Sequence, residues 1–124
     1  MNVKLDTKER FTVITPLDLT ISANMTEELN DLLLPYIQKG IPHVVLNMSQ
    51  VETLDETAGE RIALIQQQFY ENNCSLVICQ LQQNVENSLD EQQLLEVMNV
   101  TPSESEAWDI LQMEEIEREL FKDE

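Results

Sequence analysis

Cysteine, histidine and glycine are scarce in this chain of 124 residues, which contains 2 Cys, 1 His and 2 Gly. A zinc site or a Cys–His catalytic pair therefore has too few candidate side chains. Two isolated glycines cannot form a phosphate-binding loop, and no Gly-x-Ser-x-Gly motif is present. The sequence therefore predicts no metal site, no cofactor and no enzymatic activity.

Basic residues are also few, with 7 Lys and Arg against 24 Asp and Glu, for a net charge of −17. Such an acidic surface repels phosphate backbones and anionic lipid headgroups, so we expect neither nucleic-acid binding nor a lipid-bound state. The charge either keeps the protein in solution or steers it toward a basic patch on a protein partner.

Long apolar runs are missing as well. Residues 1–8 are charged and contain no apolar segment typical of a secretory signal, and no run approaches the length of a membrane span. These features predict a cytoplasmic protein that does not insert into a membrane.

The two cysteines are Cys74 and Cys79. Five residues apart along a predicted strand, they are separated by about 16 Å and point to opposite faces, which is too far for a disulfide. We therefore expect two reduced thiols.

The remaining pattern is that of one globular domain over residues 1–124. Residues 2–6 and 11–15 predict an antiparallel hairpin. Apolar strands at 43–46, opened by His43, and at 75–79 alternate with helical patterns, and a weak last strand follows residue 97. This order predicts an α/β fold with a mostly parallel sheet of four to five strands and helices mainly on one face.

The first helix has Ser22 as its predicted cap and Gly40 as its end, with Pro35 expected to bend it or end it early. Its predicted apolar face comprises Met25, Leu29, Leu32, Leu33 and Tyr36.

The second helix is predicted to begin near Asp55 or Glu56 and to end at residues 72–73. Its apolar face comprises Ala58, Ile62, Ile65 and Phe69. We expect Ile62, Ile65 and Phe69 to pack against three strand residues: Val44, Leu46 and Val77.

The last helix is predicted to begin at a capping box formed by Thr101 and Glu104. Its acidic end, residues 113–124, carries an apolar stripe of Ile116, Leu120 and Phe121 and a Glu114–Arg118 pair at helical spacing. This end either lies on its own domain or serves as a docking or dimerisation helix.

The segment at residues 46–55, LNMSQVETLD, resembles the strand and loop of STAS domains, the family named after sulfate transporters and anti-sigma factor antagonists. The family pattern there is an apolar strand, Asp-Leu-Ser, a Val, two apolar positions and then Asp-Ser-Ser-Gly. Ser49, Val51, Leu54 and Asp55 match it without a gap. The resemblance continues in register over residues 11–111 through Val77, Cys79, Val85, Leu89, Leu95 and Ala107.

Among STAS proteins, the chain most resembles the stand-alone bacterial anti-sigma factor antagonists. The resemblance implies a partner that is both an anti-sigma factor and a serine kinase of the histidine-kinase-like ATPase type. In that group the first Ser of the loop accepts phosphate, and phosphorylation breaks the complex with the anti-sigma factor.

This chain departs from the pattern at four positions, with Glu56 and Thr57 at the two serines, Ala58 at the glycine and Asn47 at the strand-end Asp. A carboxylate cannot accept phosphate by hydroxyl chemistry. Glu56 is either a fixed mimic of the phosphorylated state or a residue that favours a helix start. Thr57 is an acceptor only if the kinase tolerates a shift of one residue.

The predicted partner surface consists of a loop and its neighbours. The loop residues are Asp55, Glu56, Thr57, Ala58 and Gly59, and the neighbouring residues are Ser22, Ala23, Asn24, Glu60, Arg61 and Leu64. Two alternatives stay open: the STAS subunit of a lipid-transporting ABC system, which binds its ATPase, and a nucleotide-binding protein.

Overall fold

A computed structural model describes residues 1–121 of the chain, so the last three residues of the predicted acidic C-terminal extension lie outside the described part. The strands are β1 (Val3–Thr7), β2 (Thr12–Pro16), β3 (Thr20–Ile21), β4 (His43–Asn47), β5 (Thr53–Leu54), β6 (Ser75–Cys79) and β7 (Val100–Thr101). The helices are α1 (Thr26–Gln38), α2 (Glu56–Glu71), α3 (Gln83–Glu91) and α4 (Glu104–Phe121), and Ala23–Met25 form a 3₁₀ turn before α1.

Five strands form the main sheet in the order β1-β2-β4-β6-β7. β1 pairs with β2 antiparallel, which confirms the predicted hairpin, and the remaining neighbours pair parallel. β3 and β5 form a separate two-stranded parallel sheet, which the sequence analysis does not predict. The α/β class and the mostly parallel sheet are therefore confirmed.

The helices lie on both faces of the sheet. The strands from β2 to β7 are added in one direction, so right-handed crossovers place α1, α2 and α3 on the same face. The larger core lies there, where Ile14, Leu46 and Ile78 pack against these helices. α4 follows the last strand and covers the opposite face, packing against Val13, Val45 and Val77.

The predicted apolar face of α2 is confirmed, because Ala58, Ile62, Ile65 and Phe69 are all buried. Val44 and Leu46 lie in the hydrophobic cluster that contains these α2 residues, but Val77 lies in the cluster on the other face of the sheet. Successive strand residues point to opposite faces, so Val77 contacts the α4 side while Leu76, which pairs with Val44, takes its place beneath α2. The same alternation puts the free cysteines Cys74 and Cys79 in different clusters, as expected.

Helix boundaries differ from the sequence prediction in α1 and in α4. Met25, and not the predicted Ser22, is the N-cap of α1, because Ser22 instead precedes the 3₁₀ turn. α1 continues through Pro35 to Gln38, so an early end is wrong; the bend stays a prediction. Gly40, with a φ of +69°, follows the end of the helix as expected, and its N–H donates a hydrogen bond to the carbonyl of Ile37.

α4 begins at Glu104, and Ser103 caps it instead of Thr101, since the Ser103 Oγ accepts the N–H of Glu106 at 3.2 Å. Thr101 is already paired in β7 opposite Cys79.

Replacing Phe69 with alanine tests this core. Phe69 is fully buried on the sheet-facing side of α2, so Phe69→Ala should lower the free energy of unfolding by about 3–5 kcal/mol. The matched control is Tyr70→Ala, at the next position and 56% exposed, which should cost far less. Urea denaturation followed by circular dichroism measures both, and a loss below about 1 kcal/mol for Phe69→Ala would contradict the packing described.

Candidate functional site

The start of α2 lies at the carboxyl end of the parallel strands, after the loop that leaves β4. The side chain of Asn47, the last residue of β4, holds this loop. Its Oδ1 accepts the N–H of Ser49 at 2.9 Å, and its Nδ2 donates to the Oε1 of Glu104 at 3.0 Å. The Nε2 of Gln82 donates to the carbonyl of Ser49 at 2.8 Å. The loop is therefore held by side chains from α4 and from the segment after β6.

The β3–β5 pairing joins the two segments of the predicted partner surface. Thr20 pairs with Thr53 and Ile21 with Leu54, and the N–H of Asp55 donates to the carbonyl of Ile21 at 2.9 Å. Because Ser22 follows Ile21 directly, the 3₁₀ turn (Ala23–Met25) lies beside the start of α2 and contacts that helix. The structure thus brings together residues that are more than 30 positions apart in the sequence.

Asp55 is the N-cap of α2. Its backbone is extended, with φ −68° and ψ 149°, and its Oδ1 accepts the N–H of Thr57 at 2.9 Å. This bond satisfies one of the amides that a helix start leaves without a partner. Glu56 is then the first residue of the helix, and its exposed carboxylate is not needed for the cap.

The remaining predicted site residues divide by burial. On α2, Thr57, Glu60 and Leu64 are exposed along one side, and Arg61 is half-buried next to them. On the 3₁₀ turn, Ala23 and Asn24 are exposed, and the preceding Ser22 is half-buried. Ala58 and Gly59 are buried, so these two positions of α2 face the core instead of the surface. A Cβ on Gly59 would lie 3.1 Å from the Cδ2 of Leu89, so glycine allows α3 to approach α2 closely here.

The site surface combines negative charge with exposed apolar side chains. Within residues 1–121, the carboxylates of Asp55, Glu56 and Glu60 form no ion pair. Leu64 is 54% exposed beside them. This composition suits binding of a partner that presents basic and apolar groups.

Sequence reasoning missed Leu19 as part of this surface. Leu19 is 58% exposed, and its carbonyl accepts the N–H groups of Glu52 and Thr53, so it borders the loop that leads to Asp55. The signal was present in the sequence. Leu17 and Leu19 flank an aspartate between a strand and a helix, where no predicted element could bury them.

The described residues offer few groups for covalent or metal chemistry. Burial raises the pKa of the Cys79 thiol to about 12, with Glu104 adding to the rise, and burial also raises the pKa of Cys74. Because the thiolate is the reactive form, both cysteines are poor nucleophiles at neutral pH. No group of three or more His, Cys, Asp or Glu residues within 1–121 is arranged to hold a metal ion.

Comparison with known proteins places the fold in a family. The family model of the STAS domain matches residues 2–107. The chain belongs to the STAS domain family. No curated protein sequence matches it. Across the described residues, no helix of this STAS domain is both long enough and apolar enough to cross a membrane.

Solved STAS structures share the fold at low sequence identity. A Thermotoga maritima protein proposed to be an anti-sigma factor antagonist superposes with a TM-score of 0.77 at 17% identity, covering 89% of this chain and 94% of its own. An anti-sigma-factor antagonist (STAS) domain protein from Planctomyces limnophilus gives 0.74 at 17%, covering 89% and 97%. A Moorella thermoacetica RsbS variant, in which a serine is replaced by glutamate, gives 0.70 at 19%, covering 90% and 96%.

The cap at Asp55 can be tested by substitution. Asp55→Ala removes the acceptor for the Thr57 amide and should destabilise the protein by about 0.5–2 kcal/mol, whereas Asp55→Ser, which keeps an oxygen acceptor, should cost less. Thermal and urea unfolding measure the difference. Equal stability of the two variants would show that the cap bond does not position the helix start.

Proposed function

We propose that this STAS domain is a non-enzymatic regulator that binds a protein partner through the start of α2. The proposed surface consists of the exposed residues of the loop and its neighbours, namely Asp55, Glu56, Thr57, Ser22, Ala23, Asn24, Glu60, Arg61 and Leu64. Ala58 and Gly59 support it from below. Family membership and the anti-sigma factor antagonists among the structural neighbours support this proposal.

The proposed partner is a cytoplasmic anti-sigma factor that is also a serine kinase of the histidine-kinase-like ATPase type. Its class follows from the resemblance of the chain to stand-alone antagonists. The unneutralised carboxylates at the start of α2 favour a basic partner surface, and the leucines beside them favour one with apolar contacts. A regulator of this kind acts by occupying its partner, so it needs no reactive group of its own.

The observation that carries the proposal is the position of Glu56. It occupies the first helical position of α2, where a negative charge is favoured by the helix dipole, and its carboxylate is exposed. A phosphoserine carries about −1.5 to −2 charges, and Glu56 supplies about −1 without any kinase. We therefore propose that this domain carries a fixed negative charge where related antagonists switch theirs.

The structural neighbours include a relevant precedent. The Moorella RsbS variant has glutamate in place of a serine and has the STAS fold. A glutamate introduced into that protein is thus compatible with the same architecture, which is consistent with Glu56 being tolerated here as a permanent charge.

Two substitutions at Glu56 test the proposal once the partner has been purified by affinity capture and identified. Glu56→Gln removes the charge at nearly constant shape, and Glu56→Ser restores a hydroxyl while Asp55 still caps the helix. Either change should shift the affinity for the partner by more than about 0.5 kcal/mol. A loss means that the partner reads the charge, and a gain means that the charge imitates a dissociated state.

The control is Glu96→Gln, which neutralises an exposed carboxylate in the loop between α3 and β7 and should leave the affinity unchanged. In a parallel assay with the kinase and ATP, the wild-type protein should remain unmodified. Unchanged affinity in both Glu56 variants, together with efficient phosphorylation of Thr57, would defeat the proposal. The switch would then lie one residue further along the chain.

A further inference from the structure

The two halves of α4 differ in what they bury. In the first half, Ala107 and Leu111 are fully buried against the sheet, and Trp108 stacks on Phe11 with ring centroids 5.3 Å apart. Between Leu111 and the end of the described chain, no residue of α4 is buried. The second half of the helix therefore contributes no buried side chain to the core.

Three polar contacts nevertheless fix the rotation of this second half. Glu114 accepts the side-chain amide of Asn99 at 2.7 Å, the Oε2 of Glu115 lies 3.3 Å from the Nε2 of His43, and Arg118 donates to Ser75 at 2.9 Å. These contacts replace the Glu114–Arg118 pair suggested by the sequence spacing, which does not form within residues 1–121. Because these three residues face the body of the domain, the opposite side of the helix faces solvent.

The solvent side carries an apolar stripe formed by Met113, Ile116 and Leu120. These side chains are 55%, 59% and 68% exposed. Their spacing of three and four residues aligns them on one side of the helix over about 10 Å. The sequence analysis left open whether this end of the helix lies on its own domain. These three side chains do not, since the stripe points away from the sheet.

The stripe lies outside the part of the chain that defines the family. The STAS family model matches residues 2–107, and the stripe begins at Met113. It also lies on the face of the sheet opposite α2, because α4 packs against Val77 whereas α2 packs against Leu76. It is therefore a surface separate from the candidate site at the start of α2.

The charge of α4 indicates which kind of partner surface complements the stripe. Between residues 104 and 121 the helix has seven Asp and Glu residues and one basic residue, Arg118, which is engaged with Ser75. Pairing two copies of α4 would bring two acidic surfaces together, which like-charge repulsion opposes. A partner with basic residues around an apolar contact complements both features.

We propose that the outer face of α4 is a second docking surface, and that it binds a protein helix whose apolar face is bordered by lysine and arginine. The apolar contacts come from Met113, Ile116 and Leu120. Neighbouring carboxylates, among them Asp109 and Glu117, pair with the basic border.

A labelled synthetic amphipathic peptide, with leucines on one face bordered by lysines, provides the probe. Fluorescence anisotropy should show binding to the full chain, and the double variant Ile116→Ser/Leu120→Ser should bind at least about tenfold more weakly. A peptide with the same leucine face but glutamates in place of the lysines should bind far more weakly than the basic peptide. Both substituted side chains are exposed, so circular dichroism should show an unchanged fold.

The matched controls are Leu5→Ser and Val97→Ser, each replacing an exposed apolar side chain that belongs to neither proposed surface, and both should bind the basic peptide like the wild type. Four results would each overturn the proposal. The first is no binding of the basic peptide, the second is equal binding by the double variant, and the third is equal binding of the acidic peptide. A wild-type dimer in sedimentation that the double variant abolishes would also overturn it, because the occupant would then be a second copy.

Discussion

The geometry of the candidate site depends on the short parallel pairing between β3 and β5. This pairing, extended by the bond from the Asp55 N–H to the Ile21 carbonyl, ties the segment after β2 to the segment after β4. Without this pairing, nothing in the backbone would hold the 3₁₀ turn (Ala23–Met25) next to the start of α2. With it, the cap at Asp55, the charge at Glu56 and the exposed Leu19 share one surface.

The second constraint is that successive side chains of β4 and β6 point to opposite faces of the sheet. Each of these central strands is buried on both sides, with even-numbered residues such as Leu46 and Leu76 beneath α1–α3 and odd-numbered residues such as Val45 and Val77 beneath α4. Two covered faces give the domain two separate outer surfaces. One is the helix start that the STAS family shares, and the other is the outer side of α4, beyond the segment that the family model matches.

The sequence predicts the elements with strong periodicity or local chemistry. The face of α2, its start near Asp55, the hairpin and the stop at Gly40 follow from residue spacing and from the properties of Gly. It does not predict β3 and β5, because strands of two residues leave no alternation to detect. It also places the α4 cap at Thr101, because Thr101–Glu104 and Ser103–Glu106 both have the spacing of a capping box, and only the pairing of β7 decides between them.

The site residues themselves follow in part from the resemblance, and the structure adds what spacing cannot give. Burial of Gly59 depends on the close approach of Leu89 from α3, which no local pattern encodes. Likewise, Glu114 and Arg118 have ideal spacing for a pair, yet each contacts a distant residue instead, Asn99 and Ser75. Long-range contacts of this kind decide which side of a helix is available to a partner.

Amide hydrogen exchange, measured by mass spectrometry on the free chain and on its complex with the captured partner, tests the central claim most directly. The account predicts that binding slows exchange in peptides that cover residues 19–26 and 52–64, where the 3₁₀ turn and the start of α2 form one surface. Unchanged exchange across both segments in a saturated complex would contradict it.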